Sequence, residues 1–212
     1  MLKIKSFTFN PVQENTYLIY NELKQCVIID PGCYFEEEKE QVKDFISENG
    51  LQLTMLLNTH CHLDHVFGNK FIADTYKLTL QLHEKEKLVL AYAPTSGLMY
   101  NLPFDNYTGD FILLKEGDKI FLGGDELLVI EAPGHSPGSI CFYCAKDNFI
   151  IGGDVLFQGG IGRTDLPMGD HEALIKNIKT KLLVLPGQTV VYSGHGLSTT
   201  IEKEKRSNPF LT

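Results

Sequence analysis

Apolar residues fall in short blocks of strand length along both halves of the chain, with helically spaced stretches between them. Residues 2–9, 16–20 and Cys26-Val27-Ile28-Ile29-Asp30 read as strands, the last closed by the turn chemistry of Asp30-Pro31-Gly32. Glu36 to Asn49 spaces Val42, Phe45 and Ile46 as one helix face and stops at Gly50. Its acidic start, Glu36-Glu37-Glu38, reads as a solvated first turn matched to the helix dipole. A strand over 53–58 and a short helix follow, then a strand at Leu78–Leu82 and a helix from Glu84 to Ala93, stopped by Pro94. Thr95 to Asp110 reads as a long irregular stretch whose Met99, Tyr100, Leu102, Phe104 and Tyr107 pack over a cleft. The second half predicts strands near 111–114, 119–122, 126–131, 139–144 and 148–152. A helix over 171–183 capped by Asp170, a strand at 190–192 and a helix over 199–206 complete it.

The two halves echo each other. Tyr17–Tyr20, a polar turn and Cys26–Ile29 lead to Asp30; Ile140–Tyr143, a polar turn and Phe149–Ile151 lead to Asp154. Each is a hairpin ending in an aspartate, with helices interleaved. The expected fold class is α/β: a four-layer αβ/βα sandwich, two mixed sheets face to face with helices outside. Any two buried hairpins share some of this pattern, so the echo alone carries the halves no further.

A length of 212 residues suits one sizeable core, and residues 1–212 are expected to form a single domain. The formal net charge is −8 with no block of basic residues, which counts against nucleic acid as a main partner. No apolar run approaches the roughly 20 residues of a membrane helix, and the N-terminus lacks a signal core, so no membrane partner and a cytoplasmic location are expected. The five cysteines show no disulfide-like spacing and fit a reducing compartment. Cys141 and Cys144, three apart in a strand, point to opposite faces and read as two buried thiols rather than a pair. Cys61 turns away from its two histidine neighbours for the same reason.

The candidate chemistry centres on Thr59-His60-Cys61-His62-Leu63-Asp64-His65. It lies where a buried strand passes into a helix. Neutral imidazole is the common nitrogen ligand of Zn²⁺ and Fe²⁺, and a carboxylate adds a harder oxygen donor. His60 and His62 leave one face of an extended segment, while Asp64 and His65 sit where the chain turns, a geometry suited to two neighbouring metals. Three further ligand types stand at strand ends: His135 in Ala132-Pro133-Gly134-His135-Ser136-Pro137-Gly138, Asp154 after Gly152-Gly153, and His195 in Ser193-Gly194-His195-Gly196. Five of the seven histidines lie in these places; His83 and His171 each start a predicted helix and read as surface residues. Asp30 reads either as a partner behind a ligand histidine or as a turn cap. Arg163 and Asp165 read as a buried pair bracing the loop after Asp154, with substrate contact the alternative.

The motifs T-H-C-H-L-D-H, G-H-S-P-G-S, G-G-D and S-G-H-G, in this order, resemble the metallo-β-lactamase superfamily over nearly the whole chain. The resemblance implies the αβ/βα sandwich with metals at one edge. It implies His60, His62 and His135 around a first metal, Asp64, His65 and His195 around a second, and Asp154 bridging them. No cysteine stands in a ligand position, unlike in some true β-lactamases. Gly160–Pro167 and the tail Glu204–Phe210 are similar to the short bacterial relatives of glyoxalase II, the hydrolase of hydroxyacylglutathione thioesters. Full-length glyoxalase II adds a helical C-terminal glutathione-binding domain, which is not expected here. The implied activity is thioester hydrolysis of a small-molecule substrate. Two divalent cations, zinc expected and iron or manganese compatible, acidify a shared water whose hydroxide attacks the carbonyl, with Asp64 orienting it. Persulfide dioxygenases resemble the chain at the same histidines and at Gly162-Arg163-Thr164-Asp165, and imply instead one iron on His60, His135 and Asp154. Lactone or ester hydrolysis is a variant on the same site.

Overall fold

Two hairpins set the architecture of the computed structural model, which describes residues 1–211. In the first half β1 (Lys3–Phe9) pairs antiparallel with β2 (Glu14–Tyr20), and β2 with β3 (Gln25–Ile29). The chain crosses through α1 (Glu36–Glu48) to β4 (Gln52–Leu57), which lies parallel to β3. α2 (Leu63–Val66) and α3 (Asn69–Tyr76) lead to β5 (Leu80–His83), and α4 (Glu86–Met99) to β6 (Phe111–Leu114), both added in parallel. In the second half β7 (Lys119–Leu122), β8 (Asp125–Glu131), β9 (Ile140–Cys144) and β10 (Phe149–Gly153) run as an antiparallel meander. A small hairpin, β11 (Leu156–Phe157) with β12 (Gly160–Ile161), precedes α5 (His171–Asn177). Then β13 (Val190–Ser193) joins parallel to β10, and β14 (Thr199–Thr200) runs into α6 (Ile201–Ser207). The echo is therefore topological: β2-β3-β4 and β9-β10-β13 are each a hairpin flanked by a parallel strand.

Alternation of side chains sorts the core into three slabs. Cys26 and Ile28 of β3 face the helices α1, α3 and α4, while Val27 and Ile29 face the second sheet. Ile140, Phe142 and Cys144 of β9 answer from the other side of the central slab. Cys141 and Tyr143 turn outward onto Leu174 and Ile178 of the α5 region and Ile201 of α6. The result is the expected four-layer α/β sandwich of two mixed six-stranded sheets. Cys141 and Cys144 lie on opposite faces, and all five cysteines are buried and unpaired. Burial pushes the Cys26, Cys33 and Cys141 thiols up to about 12.

Two expectations need correction. The helix predicted to stop at Pro94 runs on to Met99. Pro94 has no N–H to give the Leu90 carbonyl, and the Asn106 side-chain amide donates to that oxygen instead at 2.7 Å. The irregular segment is therefore shorter than predicted, and Tyr107 within it is buried in the first helix-facing slab. The acidic start of α1 is not wholly solvated. Glu38 turns back, and its carboxylate accepts the Asn10, Tyr34 and Phe35 N–H groups at 2.7, 2.7 and 3.1 Å.

Candidate metal centre

The seven chemistry-bearing side chains issue from strand ends along one edge of the sandwich. His60 and His62 follow β4, and Asp64 and His65 lie in the first turn of α2. His135 sits in the loop from β8 to β9, Asp154 directly after β10, and His195 just past β13. The carboxyl ends of parallel strands are where an α/β sheet gathers residues distant in sequence. The two sheets are laced together there: the Ile140 N–H donates to the Thr59 carbonyl at 2.9 Å, and the Asn15 N–H to the Gly194 carbonyl at 2.7 Å.

The structure brings all seven together as two clusters. One nitrogen each of His60, His62 and His135 lie within 4.8 Å of one another, and so do donor atoms of Asp64, His65 and His195. The Asp154 carboxylate spans them. Its Oδ2 lies 3.5 Å from His135 Nε2 and 3.6 Å from His195 Nε2, and its Oδ1 lies 3.5 Å from His65 Nε2. Asp64 Oδ2 lies 3.0 Å from His195 Nε2 and 3.6 Å from His65 Nε2.

Hydrogen bonds behind the rings decide which nitrogen faces the centre. His135 Nδ1–H donates to the Arg163 carbonyl at 2.7 Å, and His195 Nδ1–H to the Gln13 carbonyl at 3.1 Å. His65 Nδ1–H donates to Asp30 Oδ2 at 3.1 Å. The Thr59 hydroxyl donates to the same oxygen at 2.6 Å, leaving its own oxygen to accept from His60 Nδ1–H at 3.1 Å. With Nδ1 so engaged, Nε2 is the nitrogen that all four rings aim inward. His62 presents Nδ1 instead, 2.8 Å from His135 Nε2. The buried His65 Nε2 and Asp154 Oδ1 have no hydrogen-bond partner. Convergent imidazole nitrogens, two carboxylates and buried atoms without partners are a donor set that fits divalent cations, and the carbonyls and Asp30 behind the rings fix its orientation.

The two clusters differ in charge. Burial, reinforced by the neighbouring imidazoles, holds His60 well below the usual histidine range and brings His62 down to about 4; burial lowers His135 as well. Burial opposes charge on His65 and His195 too. Asp64 and Asp154 outweigh it, and Asp30 adds to the effect on His65, so both are held above the ordinary value. Asp64 and Asp154 would be raised by burial, but His65 foremost, with His195 and, for Asp154, also His135, prevails and holds both carboxyls below the ordinary carboxylate range. One cluster is thus three neutral nitrogens and the other a mixture of carboxylate and imidazole.

Two readings from sequence change, and one open alternative is decided. Arg163 and Asp165 do pair, with Nε–Oδ1 at 2.7 Å, but both side chains are exposed. The segment supports the centre through the Arg163 carbonyl rather than through that ion pair. His83 ends β5 rather than starting a helix; its side chain is largely covered, with Nε2 3.2 Å from Glu131 Oε1. His171 is exposed, as expected. Asp30 is a partner behind the ligand-type histidines, joining His65 directly and His60 through Thr59. Sequence reasoning missed the buried acids Glu14 and Glu86 beside the centre. Each is one carboxylate in an ordinary polar stretch, and only burial marks it.

The metallo-beta-lactamase superfamily profile matches residues 9–195. The hydroxyacylglutathione hydrolase GloC of Haemophilus influenzae is 40% identical over 212 residues, covering 99% of this chain and 98% of that protein. Among solved structures, the BLEG-1 B3 metallo-beta-lactamase superposes with a TM-score of 0.90 at 38% identity, covering 99% of this chain and 100% of that one. TTHA1623, in a di-iron-bound form, gives 0.88 at 35% identity, covering 98% and 100%.

Proposed function

The chain belongs to the metallo-beta-lactamase superfamily, a class of metal-dependent hydrolases, and from that membership we propose that it hydrolyses hydroxyacyl thioesters of a small thiol, in the manner of glyoxalase II. The observation that carries the reading is the Asp154 carboxylate lying between two three-residue donor clusters. His60, His62 and His135 would hold one divalent cation, Asp64, His65 and His195 a second, and Asp154 would touch both. Bound there, such cations supply Lewis acidity toward a carbonyl and an acidified water.

The remaining work falls to the protein. Asp64 stays an acceptor at neutral pH and orients the attacking water from the second cluster. The Nδ1 hydrogen bonds to Asp30, Thr59, Gln13 and the Arg163 carbonyl hold the imidazoles in one tautomer throughout a turnover. A thiolate leaves readily, so the site needs no strong general acid. Both sheets contribute residues, and we take residues 1–212 as one catalytic unit. Imidazole and carboxylate donors accept zinc, iron and manganese alike; we take zinc as the resident metal, and the di-iron form of TTHA1623 makes iron the alternative to test.

Release of free thiol from S-lactoylglutathione by the purified protein, read with a thiol reagent, is the direct test. Turnover with Zn²⁺, Fe²⁺ or Mn²⁺ supplied is expected, together with about two metal ions per chain by elemental analysis. Parallel assays with a lactone, a cephalosporin and glutathione persulfide mark the other outcomes. One iron per chain with oxygen uptake on the persulfide replaces hydrolysis by the dioxygenase reading; a cephalosporin as the best substrate moves the protein to β-lactam hydrolysis.

A further inference from the structure

Glu86 opens α4 and lies fully buried beneath the loops that carry the three-histidine cluster. Its Oε2 accepts the N–H of Cys61, the residue between His60 and His62, at 2.7 Å. Its Oε1 accepts the hydroxyl of Ser136, the neighbour of His135, at 2.6 Å, and the Gly138 N–H at 2.7 Å. One carboxylate thus ties together two loops that come from different sheets. Gly138 must be glycine for this approach, because a Cβ there would run into His83 and the Glu86 side chain itself. A buried carboxylate that accepts three donors is oriented and charge-assisted, and removing it leaves those donors stranded. The second cluster is anchored elsewhere, through Asp30 and the Gln13 carbonyl.

From this arrangement we propose that Glu86 is a positioning residue dedicated to one of the two metals: it clasps the His60–His62 and His135 loops and so sets the affinity of the three-histidine site, leaving the Asp64–His65–His195 site unaffected. The proposal rests on the two-metal reading above and goes beyond it in making the two sites separately tunable. Outer partners of this kind typically change metal affinity by roughly 10–100-fold. Glu86→Gln retains the shape but offers a single acceptor oxygen to three donors and turns an amide N–H₂ toward the Cys61 N–H.

The test titrates metal-free protein with Zn²⁺ against a chromophoric chelator. The wild-type chain should bind two ions; failure to do so defeats the metal reading itself, and the variants are judged only against a two-ion wild type. In Glu86→Gln one ion should bind about 10–100-fold more weakly and the other within about twofold of wild type. Adding Glu86→Gln to His62→Ala, which has already lost the three-histidine site, should change the remaining ion by less than about twofold. Ser136→Ala keeps the carboxylate and removes one donor, so it should weaken the same ion by a smaller factor; it carries the test if Glu86→Gln folds poorly. Equal weakening of both ions, weakening confined to the second site, or no change in either would overturn the proposal.

Discussion

The two halves place an aspartate at the same point and use it in opposite ways. Asp30 directly follows β3 and Asp154 directly follows β10, each strand next to a parallel one that leads to a ligand-type histidine. Asp30 sits behind the rings. Its two oxygens accept from the Asn58 side chain, the Thr59 N–H, the Thr59 hydroxyl and His65 Nδ1–H at 3.1, 2.7, 2.6 and 3.1 Å. Asp154 sits in front of them, facing Nε2 of His65, His135 and His195. The backbone follows the same division. Asp30 itself adopts φ 50°, whereas at β10 the left-handed residue is Gly153, one position earlier, which places Asp154 one step further along the chain. A repeated supersecondary unit thus yields one carboxylate that holds the scaffold and one that faces the candidate metal centre.

That contrast can be broken by substitution. Asp154→Asn keeps the shape and removes the charge shared by both clusters; we expect kcat/KM on a thioester to fall roughly a thousandfold, a larger effect than any change in the urea midpoint of the metal-free protein. An enzyme that keeps near wild-type activity without this carboxylate would refute the division of roles. Asp30→Asn should do the reverse in order of size. It leaves two buried donors facing an amide N–H₂, so a loss of about 3 kcal/mol in unfolding free energy is expected by chemical denaturation. Weaker binding of both ions, by roughly 10-fold, should accompany it, because both His65 and His60 depend on Asp30. Loss of activity with unchanged stability would show that Asp30 faces the reaction after all. The smallest effect belongs to the exposed Arg163–Asp165 pair. Arg163→Ala should shift stability by less than about 0.5 kcal/mol and leave metal binding intact, since the Arg163 backbone carbonyl, not its guanidinium, meets His135. A large drop in activity with normal metal content would assign the guanidinium to substrate instead.

Much of this was legible from residue order. Apolar blocks of strand length predicted most strands, because a strand covered on both faces has nowhere to put a polar side chain. The spacing His60–His62, with Cys61 between, predicted its own geometry: period two sends the histidines to one side and Cys61 into the helix-facing core. Cys141 and Cys144 separated for the same reason. The helix through Pro94 was not legible, because its missing bond is met by Asn106, which only the folded chain brings back to Leu90. Local pattern thus set the elements, the strand ends bearing His60, His135, Asp154 and His195, and the kinds of donor available. Which nitrogen of each ring faces the centre was decided by the Gln13 and Arg163 carbonyls and by Asp30, groups 182, 28 and 35 positions from their histidines. Glu86 joined the two histidine loops across 25 and 50 positions. No periodicity encodes such pairings, because a hydrogen bond behind a ring depends on where two sheets meet, and that is known only once the sandwich has closed.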